Sequence, residues 1–195
     1  MTLSGCTPPL KNVGLGLLLL AGSFLAGGCV PAIGLLAVDV VRDEREPRAY
    51  WQDNKAEIDI RLSIYRTSTI SDANVSVTIW NAVVLLTGEV PDQRAIDRIL
   101  DIAKSHHYTR QIVNRIELAG RTNAASRVND SWLTGRVKTA LVVSRTVDPT
   151  RFKVVTERAN VYLMGLVTSA EAAAAVMIVR SVPGVVRVIK VFEYI

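Results

Sequence analysis

The chain carries one pattern of apolar and polar positions twice. The run Val77–Gly88 consists of β-branched residues, a polar break at Asn81, a second apolar run and a glycine, and Val154–Gly165 repeats this order. Such runs predict a β-hairpin closed by the glycine. A helical pattern and one more short strand follow each glycine, so the whole supersecondary unit is duplicated.

Each unit has the predicted order αββαβ. Ile58, Leu62 and Tyr65 recur at helical spacing and predict the first helix of the first repeat. The first helix of the second repeat carries an apolar face, and Asp130 or Ser131 can cap it. That face comprises Leu133, Val137, Ala140 and Leu141. Pro91–Asp92 and the capping box Thr168–Glu171 open the second helices. The predicted fold class is α+β: two tandem domains, each a three-stranded mixed sheet packed with two helices.

The duplication divides the 195 residues into two small domains. We predict domains at 54–118 and 128–195, with 119–127 as a linker because Ala119–Ser126 is small and polar without an apolar face. Domains of roughly 65 to 70 residues have marginal cores, so we expect the repeats to pack on each other. Residues 29–53, which include the densely charged stretch 39–48, are predicted to be a tether.

The N-terminus has the order of a targeting segment. Lys11 precedes the apolar run Val13–Leu25, and small residues lead into Cys29. This resembles a bacterial lipoprotein signal, with Ala26 where leucine is usual. Cleavage would remove residues 1–28 and leave Cys29 acylated on sulfur and nitrogen, outside the cytoplasm. The alternative is an uncleaved membrane-spanning helix from Val13 to Val38.

The composition and motifs favour a protein without catalytic chemistry. Lys plus Arg number 23 against 18 Asp plus Glu, a mild excess without the basic clusters of a nucleic-acid binder, so no nucleic-acid partner is expected. The two cysteines, Cys6 and Cys29, precede the repeats. The two histidines, His106 and His107, are adjacent in a predicted exposed loop without further metal ligands. We therefore expect no enzyme, no cofactor and no metal site.

The first helices of the two repeats differ on one flank. At about 100° per residue, Trp132, Arg136, Thr139 and Val143 line one side of the second repeat's helix, away from its core face. A tryptophan, a cation and an aliphatic residue suit a phospholipid head-group boundary. The first repeat is aligned with Glu57, Arg61 and Ser68 on this flank. Trp132 could equally seal the contact between the repeats.

The chain resembles paired BON domains behind a lipobox, as in the dual BON-domain outer-membrane lipoproteins of proteobacteria. The resemblance lies in the paired αββαβ units, the strand glycines, the Val-Pro-Gly-Val turn at 182–185, and the stretches Asn129–Trp132 and Val161–Thr168. The first repeat departs from it at Ser105–Thr109, where Pro-Gly-Val is usual.

The resemblance implies a lipid-binding role for the second repeat. Its ligand would be an anionic phospholipid such as phosphatidylglycerol. The candidate contact residues are Trp132, Leu133, Arg136, Lys138, Thr139 and Val143. Gly88, Gly165 and Gly184 are expected to be structural, with Gly165 allowing a strand exit and close helix packing. By the same resemblance, Val30 after the cysteine implies sorting to the outer membrane. The two repeats would then face the periplasm and support envelope integrity. The alternative function is an envelope protein-interaction module, for example with a secretion or outer-membrane assembly component.

Overall fold

The computed structural model describes residues 47–67, 73–120 and 124–195, so the leader, Cys29 and most of the predicted tether lie outside the described residues. The elements are α1 (Pro47–Arg66), β1 (Asn74–Trp80), β2 (Val83–Val90), α2 (Gln93–Ser105), β3 (Gln111–Leu118), α3 (Ala124–Ser144), a 3-10 turn (Pro149–Arg151), β4 (Phe152–Glu157), β5 (Asn160–Val167), α4 (Ser169–Arg180) and β6 (Arg187–Tyr194). The order αββαβ therefore occurs twice, as predicted. None of the helices in these ranges is long and apolar enough to cross a bilayer.

Each repeat forms one three-stranded mixed sheet. The middle strand pairs antiparallel with the strand before it and parallel with the strand that returns after the helix. Val77 lies opposite Leu86 in the first sheet, and Val154 lies opposite Leu163 in the second. The α+β fold class with two mixed sheets is confirmed.

The hairpins turn at Asn81–Ala82 and Arg158–Ala159, where all four residues have φ between 50° and 61°. This is the conformation of a two-residue primed turn, which matches the twist of the flanking strands. The glycines lie inside β2 and β5, so the prediction that they close the hairpins was wrong. A Cβ on Gly88 would lie 1.9 Å from the carbonyl oxygen of Asn74, and one on Gly165 2.5 Å from that of Arg151. Both glycines permit close approach of neighbouring backbone, which for Gly165 is the last residue of the 3-10 turn Pro149–Arg151.

The helices cover one face of each sheet. In the first repeat the core includes Ile60, Leu86 and Ile99, and in the second it includes Leu133, Leu163 and Val179. The predicted helix starts are confirmed for α2, whose Ala95 N–H donates to Asp92 at 2.8 Å, and for α4, which begins with the Thr168–Glu171 capping box.

Helix α1 buries a different face from the one that its apolar spacing suggests. Ala56, Ile60 and Ile64 are buried, whereas Ile58, Leu62 and Tyr65 are exposed. The helix therefore has two apolar faces, and the sequence pattern marked the outer one. It begins at Pro47, inside the predicted tether, and α3 begins at Ala124, inside the predicted linker.

The two sheets pack face to face through the sides that the helices leave open. The contact is apolar and comprises the buried side chains Trp80, Val83, Leu85, Tyr162 and Met164. Because helices cover the other face of each sheet, the described residues form four layers in the order α/β/β/α. The expectation that the repeats pack on each other is confirmed.

Pairs of polar residues related by the duplication close this contact at its edges. Asn81 in one hairpin turn donates to Glu193 of the other repeat at 2.9 Å, and Arg158 in the other turn donates to Glu117 at 2.6 Å. Arg110 also pairs with Glu193. The contact is thus self-complementary, as in a twofold dimer.

Candidate functional site

A buried aspartate fixes the first helix of each repeat to the hairpin turn. Asp130 accepts hydrogen bonds from the backbone N–H groups of Arg158 and Ala159, both at 2.8 Å. Asp53 accepts the equivalent pair from Asn81 and Ala82 at 2.8 and 2.9 Å. Asp130 lies inside α3, so the prediction that it caps the helix was wrong. Its carboxylate sets the position of α3, and with it the flank that carries Trp132.

That flank forms one wall of an open groove of about 670 Å³. The other wall is the segment that follows α4. The groove is lined by Trp132, Gly135, Arg136, Thr139, Ala140, Val143, Ser181, Val182 and Pro183. Four of the six predicted lipid-contacting residues therefore lie together, and the Pro183–Gly184 turn faces them. Gly184 has φ +99°, a conformation that L side chains rarely adopt, and it lies against Leu133.

Trp132 and Arg136 form a pair in the groove. The indole is 58% exposed, and the Cζ atom of Arg136 lies 4.6 Å from its ring centroid. Arg136 Nη1 donates to the carbonyl oxygen of Pro183 at 3.1 Å. A guanidinium has five N–H donors, so this bond orients the cation and leaves further donors for an anion.

Trp132 does not seal the contact between the repeats. That contact contains a different tryptophan, Trp80, which is only 7% exposed. Trp132 lies instead on an open surface, with 58% of its surface exposed.

The remaining predicted residues differ in position. Val143 is 70% exposed at one end of the groove, and the Thr139 hydroxyl donates to the carbonyl oxygen of Gly135 at 2.9 Å. Leu133 is 1% exposed and belongs to the core, so its assignment as a surface lipid contact was wrong. Lys138 is exposed but does not line the groove.

The first repeat has no equivalent groove chemistry. The two aspartate anchors align Trp132 with Lys55 and Arg136 with Asp59, so the predicted alignment with Glu57 and Arg61 was shifted by two positions. Ser68, the third residue of that alignment, lies outside the described residues. The first repeat thus presents an acid where the second presents a guanidinium.

His106, in the loop after α2, lies beside this acid. Its Nε2 is 3.8 Å from Asp59 Oδ2, and its ring stacks on that of His107 at 4.8 Å. Only 16% of the His106 side chain is exposed, so the prediction of two exposed histidines was wrong for this residue. In the part of the chain that the structure describes, no three potential ligands are grouped for a metal ion.

A second polar cluster lies at the edge of the sheet contact. Burial, together with the neighbouring Glu89 and Asp130 carboxylates, raises the pKa of Glu157 from 4.5 to about 7. Arg158 opposes this shift; its Nε lies 3.7 Å from Glu89, which is fully buried. In α4, the hydrogen bonds from the backbone and hydroxyl of Thr168 lower the pKa of Glu171. Burial raises the pKa of Tyr162 in the sheet contact.

The fold defines a class of protein in which two αββαβ repeats pack together through their sheets. In this chain the second repeat carries a surface groove. Residues 52–120 and 129–195 each match the profile of the BON domain. The chain belongs to the BON domain family.

The chain is also similar to named relatives. It is 32% identical over 199 residues to outer membrane lipoprotein DolP of Haemophilus influenzae, covering all of both chains. It is 33% identical over 154 residues to a 21 kDa hemolysin of Actinobacillus pleuropneumoniae, covering 78% of this chain and 79% of that one. A solved structure of CdsD, a type III secretion system protein of Chlamydia trachomatis, matches with a TM-score of 0.29 and 11% identity, covering 73% of this chain and 63% of that one. The score is too low to compare the folds.

Proposed function

We propose that this protein is a non-enzymatic lipoprotein of the bacterial outer membrane whose second repeat binds anionic phospholipid in the groove beside α3. The observation that carries the proposal is the exposed Trp132 paired with Arg136, which Pro183 holds in the groove, where the first repeat has Lys55 and Asp59. The site recognises a phosphodiester next to an apolar chain.

The chemistry of the groove suits a phospholipid at the bilayer surface. The Arg136 guanidinium donates to phosphate oxygens, and its charge contributes on the order of 1 kcal/mol near an anionic surface. The Trp132 ring prefers the interface, where its apolar body and its N–H meet different surroundings. Val143, at the end of the groove, provides an aliphatic surface for the acyl region.

The proposed anchor is an acylated Cys29, with the folded part facing the periplasm. The order of the N-terminal residues supports acylation, and the full-length similarity to a protein named as an outer membrane lipoprotein supports the compartment. Several acyl chains already form a stable anchor. The groove would therefore select lipid composition and so position the protein where it supports envelope integrity.

The test uses residues 40–195, which contain both repeats. Sedimentation with vesicles is measured for phosphatidylcholine alone and for phosphatidylcholine with phosphatidylglycerol. We expect binding only with phosphatidylglycerol, and we expect Trp132→Glu to weaken it about tenfold or more, because an interfacial aromatic and a cation act at one point.

Equal binding to both compositions, or unchanged binding of Trp132→Glu, would contradict the proposal. Retained affinity for an envelope protein in a variant without lipid binding would instead support the alternative, a protein-interaction module. Lys138→Glu is the matched control, since Lys138 is on α3 but does not line the groove; it should lower binding much less than Trp132→Glu.

A further inference from the structure

Helix α1 presents a second apolar face to solvent. Trp51, Ile58, Leu62 and Tyr65 are 62%, 54%, 42% and 88% exposed. At about 100° per residue these four positions lie within an arc of about 60°, opposite the buried face of the helix. We call them the outer stripe.

Cations border the outer stripe on both sides. Arg48, Lys55 and Arg66 lie roughly 50–70° from its centre on one side, and Arg61 lies at a similar angle on the other. All four are exposed, and the first three have no acidic partner among the described residues. Arg61 donates to Glu57 at 2.7 Å, and the other carboxylate oxygen of Glu57 faces the second repeat.

We propose that the outer stripe is a second membrane-contacting surface, on which α1 lies parallel to the bilayer in its head-group region. A helix of this kind buries its apolar face about 5–10 Å into the boundary between head groups and acyl chains, with basic residues at the level of the phosphates. Trp51 and Tyr65 are about 21 Å apart along the axis, at opposite ends of the stripe. Both side chains have the polar tip that favours this depth.

The position of α1 in the chain points to a membrane rather than a protein partner. Roughly 18 residues separate Cys29 from Pro47, and they can span at most about 60 Å, so the stripe stays within reach of the membrane that holds the N-terminus. A stable protein interface uses about 20–30 residues on each side. Four side chains on a convex helix are few for a second copy or another protein, and the cationic borders complement anionic lipid.

The four-layer architecture separates this surface from the groove. Helices α1 and α3 lie in opposite outer layers, since the two sheets pack between them. One flat bilayer cannot contact both surfaces at once. The outer stripe and the groove therefore define two alternative orientations of the tethered protein, and disabling one favours the other.

The experiment uses the full chain reconstituted into vesicles of phosphatidylethanolamine and phosphatidylglycerol. A fraction of the lipid molecules carries bromine near the head-group end of the acyl chains. Trp80→Phe and Trp132→Phe leave Trp51 as the single tryptophan. We expect its fluorescence to be quenched by the brominated lipid. Adding Leu62→Glu and Tyr65→Glu should lower the quenching at least about twofold, because both charges would enter the apolar boundary. Both residues are exposed, so folding should be unaffected, as circular dichroism would verify.

Met177→Glu is the matched control, because Met177 is 68% exposed on α4, away from the stripe; quenching should not change. Absence of quenching, or quenching that survives the two glutamates, would overturn the proposal. Shielding of Trp51 without lipid, together with a doubled mass in solution, would overturn it in favour of a second copy.

A further variant separates this proposal from the function of the groove. With Trp132→Glu in place of Trp132→Phe, quenching of Trp51 should be retained or increased. A parallel loss would show that Trp51 reports only binding at the groove and would overturn the second surface. The test of the groove depends on phosphatidylglycerol and on Trp132, so either proposal can fail alone.

Discussion

At the residue scale, Asp53 and Asp130 hold each repeat together at a point that the sequence pattern does not mark. Each carboxylate accepts hydrogen bonds from two backbone N–H groups of a hairpin turn, 28 and 29 residues further along the chain. A lone acid in a helical pattern usually indicates a solvated position or a cap, so neither residue could be assigned this role. The duplicated spacing from acid to turn was the available signal.

Asp130→Ala should lower the free energy of unfolding by about 2–3 kcal/mol, because two backbone donors lose a charged acceptor. Asp130→Asn, which keeps one acceptor oxygen, should cost less than Asp130→Ala. Urea denaturation monitored by circular dichroism measures both. Equal stability of Asp130→Ala and the unmodified protein would contradict the assigned role.

Glu157 predicts a pH dependence of stability. Its folded-state pKa of about 7 lies above the usual 4.5, so between these pH values the folded protein binds more protons than the unfolded protein. The contribution of Glu157 to stability is therefore full below pH 4.5 and is lost as the pH rises through about 7. Glu157→Gln should therefore stabilise the protein at pH 8, by about 1–2 kcal/mol after allowance for solvent screening. Below pH 4.5 the two proteins should match. Thermal unfolding across this range measures the effect, and a constant difference would contradict it.

At the scale of the element, α3 has two faces in different surroundings. Its inner face, with Leu133, Val137 and Leu141, packs in the core, and its flank opens into the groove. This division followed from helical periodicity. The opposite wall of the groove did not, because the contact of Arg136 with Pro183 joins segments far apart in sequence.

Two adjacent valines test whether the groove face of α3 binds lipid. Val143 lines the groove, whereas Val142 does not, and they are 70% and 58% exposed. Val143→Glu should weaken binding of residues 40–195 to phosphatidylglycerol vesicles about fivefold or more, because a charge would enter the acyl side of the site. Val142→Glu should have a smaller effect, and equal losses would indicate general charge repulsion.

The apolar spacing in the sequence predicted that α1 is a helix, but it did not predict which face of the helix is buried. Both of its apolar faces follow helical spacing, so periodicity alone cannot tell which one is buried. The buried face uses Ala56, Ile60 and Ile64, and the larger aromatic residues lie outside. Tertiary packing decided the choice, because the face that meets the sheet must also bring Asp53 to the hairpin turn.

At the scale of the whole molecule, the contact between the sheets unites the repeats. The strand β2 is an almost unbroken apolar run and is buried on both faces, with Leu85 toward the other sheet and Leu86 toward the helices. Continuous apolar strands are typical of sheets covered on both sides. The repeated pattern predicted the duplicated αββαβ order, and the small size of the domains predicted that the repeats pack together. Neither predicted which tryptophan the contact contains.

Leu85 and Leu86 distinguish the two cores. Both are fully buried, and alanine at either position should cost about 2–5 kcal/mol of unfolding free energy. Leu85→Ala should lower hydrogen-exchange protection in β5 as well as in β2, because it weakens the contact between the sheets. Leu86→Ala should act mainly within the first repeat. Identical exchange patterns for the two variants would contradict the division into separate cores.

The proposed function requires that anionic phospholipid binds between α3 and the segment that follows α4. The most direct measurement is a titration of isotope-labelled residues 40–195 with micelles containing phosphatidylglycerol, followed residue by residue through the amide resonances. The largest shifts should fall on the stretch from Trp132 to Val143 and on Ser181–Pro183, and they should vanish when phosphatidylcholine replaces phosphatidylglycerol. Shifts concentrated elsewhere in the second repeat, or the same shifts with both lipids, would show that this groove is not the phospholipid site.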